Sequence, residues 1–401
     1  MDAVFLFVTM VIPKAGAVVL GLPLTLNLLL LLCVVMINVN HAILAVQSFK
    51  DFGVVYVMLG IFVVTTMCLS LASGVSPFQL SQMLVVLISP LAAVSVSRIR
   101  PELMFKLVCV AVIVVNAYGM IQFIGGISRM TIPGLTVTYG QNIEMKNIGY
   151  DGSTDGGNKI PSTYQNGNSV GIFNVLAVSY LLSFVSLGLW KRTRILGVMC
   201  GLVGLLLCGS RSILIPFVVA FAVMITAFLK ELPKGRRTTA TTVVTVGSLV
   251  LLVLLAFQRT ILEQFWQRNI WQTIEDPTAA GRTGQWASSI KAMHSLDLPQ
   301  LLRLFAFGKD SSMQIGGEGL PAFFFTFGIV ATVLFYGGLM LVVYRCWNFR
   351  SGRPLALGLL CVVVAFCVDT TYFYPPNLMM FFIFAMTVVR VRDGESNPVL
   401  V

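Results

Sequence analysis

Gly209-Ser210-Arg211-Ser212 interrupts an apolar run that extends from Ile195 to Leu229. A guanidinium presents a planar fork of donors to phosphate oxygens, and Ser210, Ser212 and a helix N-terminus beginning there would add more. The same residues also fit a plainer account, an arginine snorkelling from a tight turn. Gly281-Arg282-Thr283-Gly284-Gln285-Trp286 holds a second arginine. Arg282 would complete a clamp with Arg211, or be a solvated loop residue like Arg259, Arg268 and Arg303. Glu318, in Gly316-Gly317-Glu318-Gly319, is either a solvated loop acid or a carboxylate placed to take a proton from a sugar hydroxyl. In Thr163-Tyr164-Gln165-Asn166-Gly167-Asn168-Ser169, Asn168 or Ser169 suits a helix N-cap. Tyr164, Gln165, Asn166 and Asn168 also suit a saccharide, with a ring for its apolar face and amides for its hydroxyls. Trp286 is a further ring of this kind. His294 is a lone histidine on an expected helix. Asp369 marks either a polar lining or the packing of a helix end.

These residues need elements to hold them, and the composition decides which. Of 401 residues 57% are apolar and only 11% charged. A soluble domain carries about 25% charged residues, so a water-soluble globule, a disordered chain and a disulfide scaffold are all excluded. Helices that satisfy their own backbone hydrogen bonds in lipid need about 20 apolar residues each. Runs of that kind predict twelve spans, near 2–13, 22–39, 53–73, 79–97, 102–124, 167–189, 195–209, 212–229, 239–257, 322–344, 354–371 and 377–391. Residues 14–21 would extend the first helix, and Pro90 and Pro216 would kink the fourth and eighth. The expected fold class is all-α: a single polytopic domain over 1–401, with about twelve transmembrane helices and two long extracytoplasmic loops.

The basic residues orient this layout. With both termini cytoplasmic, the inner loops collect fifteen Lys and Arg against six acids, whereas the outer loops hold eleven against nine. The chain's net charge of +11 is therefore mostly a topology signal, and nucleic acid is not an expected partner. The two long outer loops, 125–166 and 258–321, lie on the same side and carry Tyr164, Gln165, Asn166, Arg282, Trp286 and Glu318. In the second, residues 259–274 and the Trp286, Ile290, Met293 stretch have helical apolar faces suited to the headgroup layer. The eight cysteines (33, 68, 109, 200, 208, 346, 361, 367) fall in spans or at the cytoplasmic edge, which leaves no disulfide framework and no metal spacing. Asp2 stands where a signal peptide would be basic, so no cleavable leader is expected.

The order of TYQNGNSVG (163–171), GSRS (209–212), GRTGQW (281–286), Phe307-Gly308 and TFGIVATVLFYGGL (326–339) resembles the O-antigen polymerase and O-antigen ligase superfamily. The resemblance covers most of the chain. It implies a bacterial inner-membrane glycosyltransferase, independent of metals and cofactors, that uses a polyprenyl-pyrophosphate-linked oligosaccharide. It also implies membrane lipid and a chain-length regulator protein as partners. Carried over by motif, Arg211 and Arg282 would bind the donor pyrophosphate while an acceptor hydroxyl attacks the anomeric carbon. Ligases of the superfamily typically carry a His-Asn pair before the span that here begins near residue 322. This chain has Gly-Glu-Gly instead, which favours a polymerase with Glu318 as base. The alternatives are a ligase that passes glycan to lipid A core and, from another class, a lipid-linked oligosaccharide flippase or transporter. The absence of an internal repeat weighs against a transporter.

Overall fold

A computed structural model describes residues 1–40, 52–142, 159–183, 190–231, 282–310, 313 and 315–396. The chain is mostly helical. Helix α1 (Asp2–Val11) leads into a hairpin of β1 (Gly16–Val19) and β2 (Leu22–Thr25), then α2 (Leu26–Ile37) and α3 (Phe52–Ala72). Helices α4 (Pro77–Ile88) and α5 (Ala93–Ser97) are joined by a 3-10 turn through Pro90, and α6 (Pro101–Gly125) and the short α7 (Ile127–Met130) follow. After the first long loop come α8 (Gly167–Ser183), α9 (Lys191–Cys208) and α10 (Arg211–Glu231). The second long loop contributes α11 (Arg282–Met293) and α12 (Leu298–Phe307) before α13 (Gly319–Trp347), α14 (Arg353–Val368) and α15 (Pro375–Ser396) close the bundle.

The outer surface of this bundle is apolar. Helix α3 exposes Val54, Val57, Ile61 and Val64; α10 exposes Ile215, Val218 and Val219; α13 exposes Ile329, Val330 and Val333. In water such stripes would drive aggregation, whereas in a bilayer they meet a solvent of their own polarity. Five helical segments (Phe52–Ala72, Pro77–Ser97, Pro101–Gly125, Gly319–Trp347 and Arg350–Val368) are long and apolar enough to cross a membrane. The protein is a helical membrane protein. Helix also occupies parts of the shorter expected spans, and the expected span at 239–257 lies outside the described residues, as does the amphipathic stretch 259–274.

One expectation is corrected: residues 14–21 do not extend the first helix but run into a small hairpin within the all-α fold. Pro13 ends α1, and Leu20 (φ 51°) and Gly21 (φ 79°) form the two-residue loop of the hairpin. Positive φ at both loop residues is what a tight hairpin requires. The hairpin is held in place by the first long loop, through Val18 N–H to Tyr139 O (2.8 Å) and Tyr139 N–H to Gly16 O (2.9 Å). Helix α12, absent from the sequence reading, starts with a capping box: Gln300 N–H donates to Asp297 Oδ1 (2.8 Å), and Asp297 N–H donates to Gln300 Oε1 (3.2 Å). Arg303 of α12 donates to Ser73 Oγ (3.1 Å) and pairs with Asp310, so it is a packing residue.

Helix α8 is the axis of the bundle: every residue except Leu182 is buried, against α6, α9, α14 and α15. Small residues allow this. A Cβ on Gly201 of α9 would lie 2.5 Å from Val178, and one on Gly358 of α14 would lie 2.3 Å from Ser179 Oγ. At Gly204 the space is filled by an amide pair. Asn116 Nδ2 donates to Asn174 Oδ1 (2.8 Å), Asn174 Nδ2 donates to Asn116 Oδ1 (3.1 Å), and a Cβ on Gly204 would sit 1.7 Å from that Oδ1. Gly204→Val is therefore expected to destabilise the bundle by about 2 kcal/mol or more, from overpacking and a broken amide pair. Thermal unfolding in detergent measures this, and a wild-type midpoint would refute the close approach.

Candidate functional site

Four segments distant in sequence meet at one end of the bundle. The first is the entrance of α8. Asn166 Oδ1 accepts Ser169 N–H (3.0 Å) and caps the helix, a position expected at Asn168 or Ser169. Asn168 instead reaches outward. Its Oδ1 accepts from Lys159 Nζ (2.8 Å), and its Nδ2 donates to Asp369 Oδ2. Ser169 Oγ accepts from Asn377 Nδ2 (3.1 Å).

The second segment is the Arg211 turn. Gly209 closes α9 in the left-handed region (φ 54°), and Arg211 opens α10 directly after it. The turn abuts α8, because a Cβ on Gly167 would lie 2.5 Å from the Cys208 carbonyl oxygen, and Ile160 N–H donates to Leu207 O (3.2 Å). Ser210 is buried, with its Oγ 3.1 Å from that of the half-buried Ser212. Arg211 itself is half-buried.

The third and fourth segments are the Glu318 loop and the turn after α14. Glu318, half-buried, precedes the first turn of α13. Gly319 packs so closely on this turn that a Cβ would lie 2.1 Å from Cys367 O, and Tyr372 O–H donates to Gly319 O (2.8 Å). Asp369 is thus within two residues of the backbone that supports Glu318. Helix α11 is pinned to the same loop: Ser289 Oγ donates to Gly316 O and accepts Gly316 N–H (3.3 Å). Trp286 lies on the exposed face of α11. Arg282 begins this helix, but its side chain lies outside the described residues, as does Gly281. His294 follows the end of α11.

Beside this junction is a cavity of about 570 Å³. One wall is apolar, made of Leu28, Leu29 and Leu32 of α2 and Phe78, Leu84 and Val85 of α4. Leu29, Leu32, Phe78 and Leu84 are also exposed on the lipid-facing surface, so the wall is continuous with the bilayer side. The other end is polar, with Lys14, Gln141, Gln165, Asn166, Ser169 and Asp369. Lys14 is only 4% exposed, and its ammonium donates to Gln141 Oε1 (2.5 Å) and Gln165 Oε1. Its backbone, just before the hairpin, is held by the first long loop, where Thr138 Oγ1 donates to Lys14 O (3.0 Å).

Tyr164 does not line this space as an open ring. It is 2% exposed, its hydroxyl donates to Met10 O (2.6 Å), and its ring stacks on Phe173 with centroids 5.6 Å apart. Burial, with Tyr374 close by, pushes its hydroxyl well above the ordinary phenol range, so it remains a donor. Lys309, at the end of α12, has its ammonium shifted the other way by burial. Sequence reasoning missed Lys14 as a lining residue, because it stood in a segment read as helix. Gln141 was missed because nothing local in the first loop distinguishes it.

No family model matches the sequence, and no curated protein matches it.

The Lys159–Asn168–Asp369 link makes its own prediction. Asn168→Leu removes one hydrogen bond from each charged partner, at about 1.5–3 kcal/mol per charged hydrogen bond. The variant is expected to show a clearly lowered unfolding midpoint in detergent. Unchanged stability would mean that this link does not hold the four segments together.

Proposed function

We propose that the chain is a membrane glycosyltransferase that polymerises polyprenyl-pyrophosphate-linked oligosaccharide repeat units into O-antigen or a related surface polysaccharide. It acts on the outer face of a bacterial inner membrane, with both termini cytoplasmic. The observation that carries this reading is the cavity, with an apolar wall on the lipid side and a polar end of amides and charges; the Arg211 turn lies outside its wall, packed on the first turn of α8. A lipid-linked saccharide makes those demands. Its isoprenoid chain stays in an apolar solvent while its pyrophosphate and hydroxyls need donors and acceptors.

In this reaction Arg211 and Arg282 hold the donor pyrophosphate. Arg211 sits at the N-terminus of a long helix, where backbone N–H groups and the helix dipole add to the guanidinium. Both favour the negative charge that develops on the leaving group. The acceptor hydroxyl attacks the anomeric carbon, and the growing chain moves to the non-reducing end of the acceptor unit. Glu318 is the sequence-level candidate for the base. The Gly-Glu-Gly stretch before α13 supports polymerisation over transfer to lipid A core, which the histidine-bearing pattern would serve.

Purified protein supplied with lipid-linked repeat unit is expected to produce a ladder of chain lengths. Arg211→Ala and Arg282→Ala should each slow chain growth by about 100-fold or more, as loss of a transition-state charge partner does. Undiminished growth in both variants would remove the mechanism. Translocation of the lipid-linked unit across vesicles without bond formation would replace the function by that of a flippase.

A further inference from the structure

One carboxylate at this end of the bundle has no part in the scheme above. Asp369 ends α14 with extended backbone (φ −133°, ψ 148°) and is 6% exposed, yet it lines the cavity. Among the described residues its one side-chain hydrogen bond is the donation from Asn168 to Oδ2. That bond orients the carboxylate and leaves Oδ1 for another donor. Thr371, which lines the same space, has a buried Oγ1 with no hydrogen-bond partner among the described residues. Buried polar atoms are nearly always paired, so this corner fits an occupant that brings hydroxyl groups. Gln165 and Asn166 border the same space with further amides. Neither Glu318 nor Arg211 is part of the cavity wall, but the Arg211 turn packs on the first turn of α8, which borders the cavity.

We infer that Asp369, rather than Glu318, takes the proton from the attacking hydroxyl, an inference that rests on the transfer reaction proposed above. The hydroxyl oxygen forms the new bond to the anomeric carbon. The bond from that carbon to the pyrophosphate oxygen breaks, and its electron pair leaves on the pyrophosphate. The hydroxyl proton passes to Oδ1 of Asp369, which returns it to water after the product moves on. Asn168 donates to the other oxygen throughout, so the reacting oxygen keeps its aim. The Arg211 turn and Asp369 both abut the first turn of α8, which places leaving-group stabilisation and proton removal around one short segment.

The test uses the full-length protein in lipid nanodiscs with purified polyprenyl-pyrophosphate-linked repeat unit, and follows both binding of that unit and chain growth. Asp369→Asn preserves shape and the bond from Asn168. It is expected to bind the lipid-linked unit like the wild type while losing about 100-fold or more in turnover, the range for a lost general base. Asp369→Glu is expected to recover part of that loss. Three results would overturn the inference: wild-type turnover in Asp369→Asn, loss of binding in step with turnover, or the large loss appearing in Glu318→Gln instead. Failure of the wild-type protein to extend chains at all would strike the proposed function itself, a result separable from any behaviour of the variants.

Discussion

Helix α8 is buried along almost its whole length, and its first turn borders only the polar end of the cavity. The polar atoms there that face other helices need partners inside the protein, because an unmatched one costs its full desolvation energy. This constraint explains the junction. Asn166 caps the helix, Ser169 receives Asn377, and Asn168 bridges Lys159 and Asp369. The partners come from segments before α8 and after α14, so satisfying one helix end draws distant parts of the chain to one place. A helix start exposed to water would have needed none of them.

Close packing does the rest. The lipid chains around a membrane protein are as apolar as its side chains, so helices associate through contact and interhelical hydrogen bonds rather than through exclusion of water. Gly167 and Gly204 let α9 approach α8 to backbone contact, which fixes the Arg211 turn relative to Asn168. Gly319 does the same for α13 and the Cys367 carbonyl. At Gly328 (φ 83°) α13 breaks, and Gly308 fits against the break, with Lys309 N–H donating to Phe325 O (2.7 Å). The second long loop is thereby seated on α13, and Ser289 ties its helix α11 to the stretch before Glu318. The described parts of the long loops gain their positions from glycines where they meet the helices.

Part of this was legible in the residues alone. The apolar runs located the five segments long enough to cross a membrane, because backbone hydrogen bonding in lipid admits few other structures. The polar motifs stood out because each interrupts or adjoins such a run. Helix α11 followed from Trp286, Ile290 and Met293, and the capping box Asp297–Gln300 announced α12 to a reader who looked for it. The hairpin at Gly16–Thr25 was less legible, since alternation over four residues is indistinguishable from one turn of an apolar helix.

What the sequence by itself determined is the solvent, the helical character and the identity of the scarce polar residues, because these depend on composition and local periodicity. What only the tertiary structure decided is which polar residues share a space. Tyr164, a sugar-facing ring by its motif, points into the core, while Lys14, Gln141 and Asp369, unremarked or ambiguous in sequence, border one cavity. Their convergence is set by side-chain contacts between segments more than a hundred residues apart. No local pattern records such contacts, so they emerge only when the helices pack.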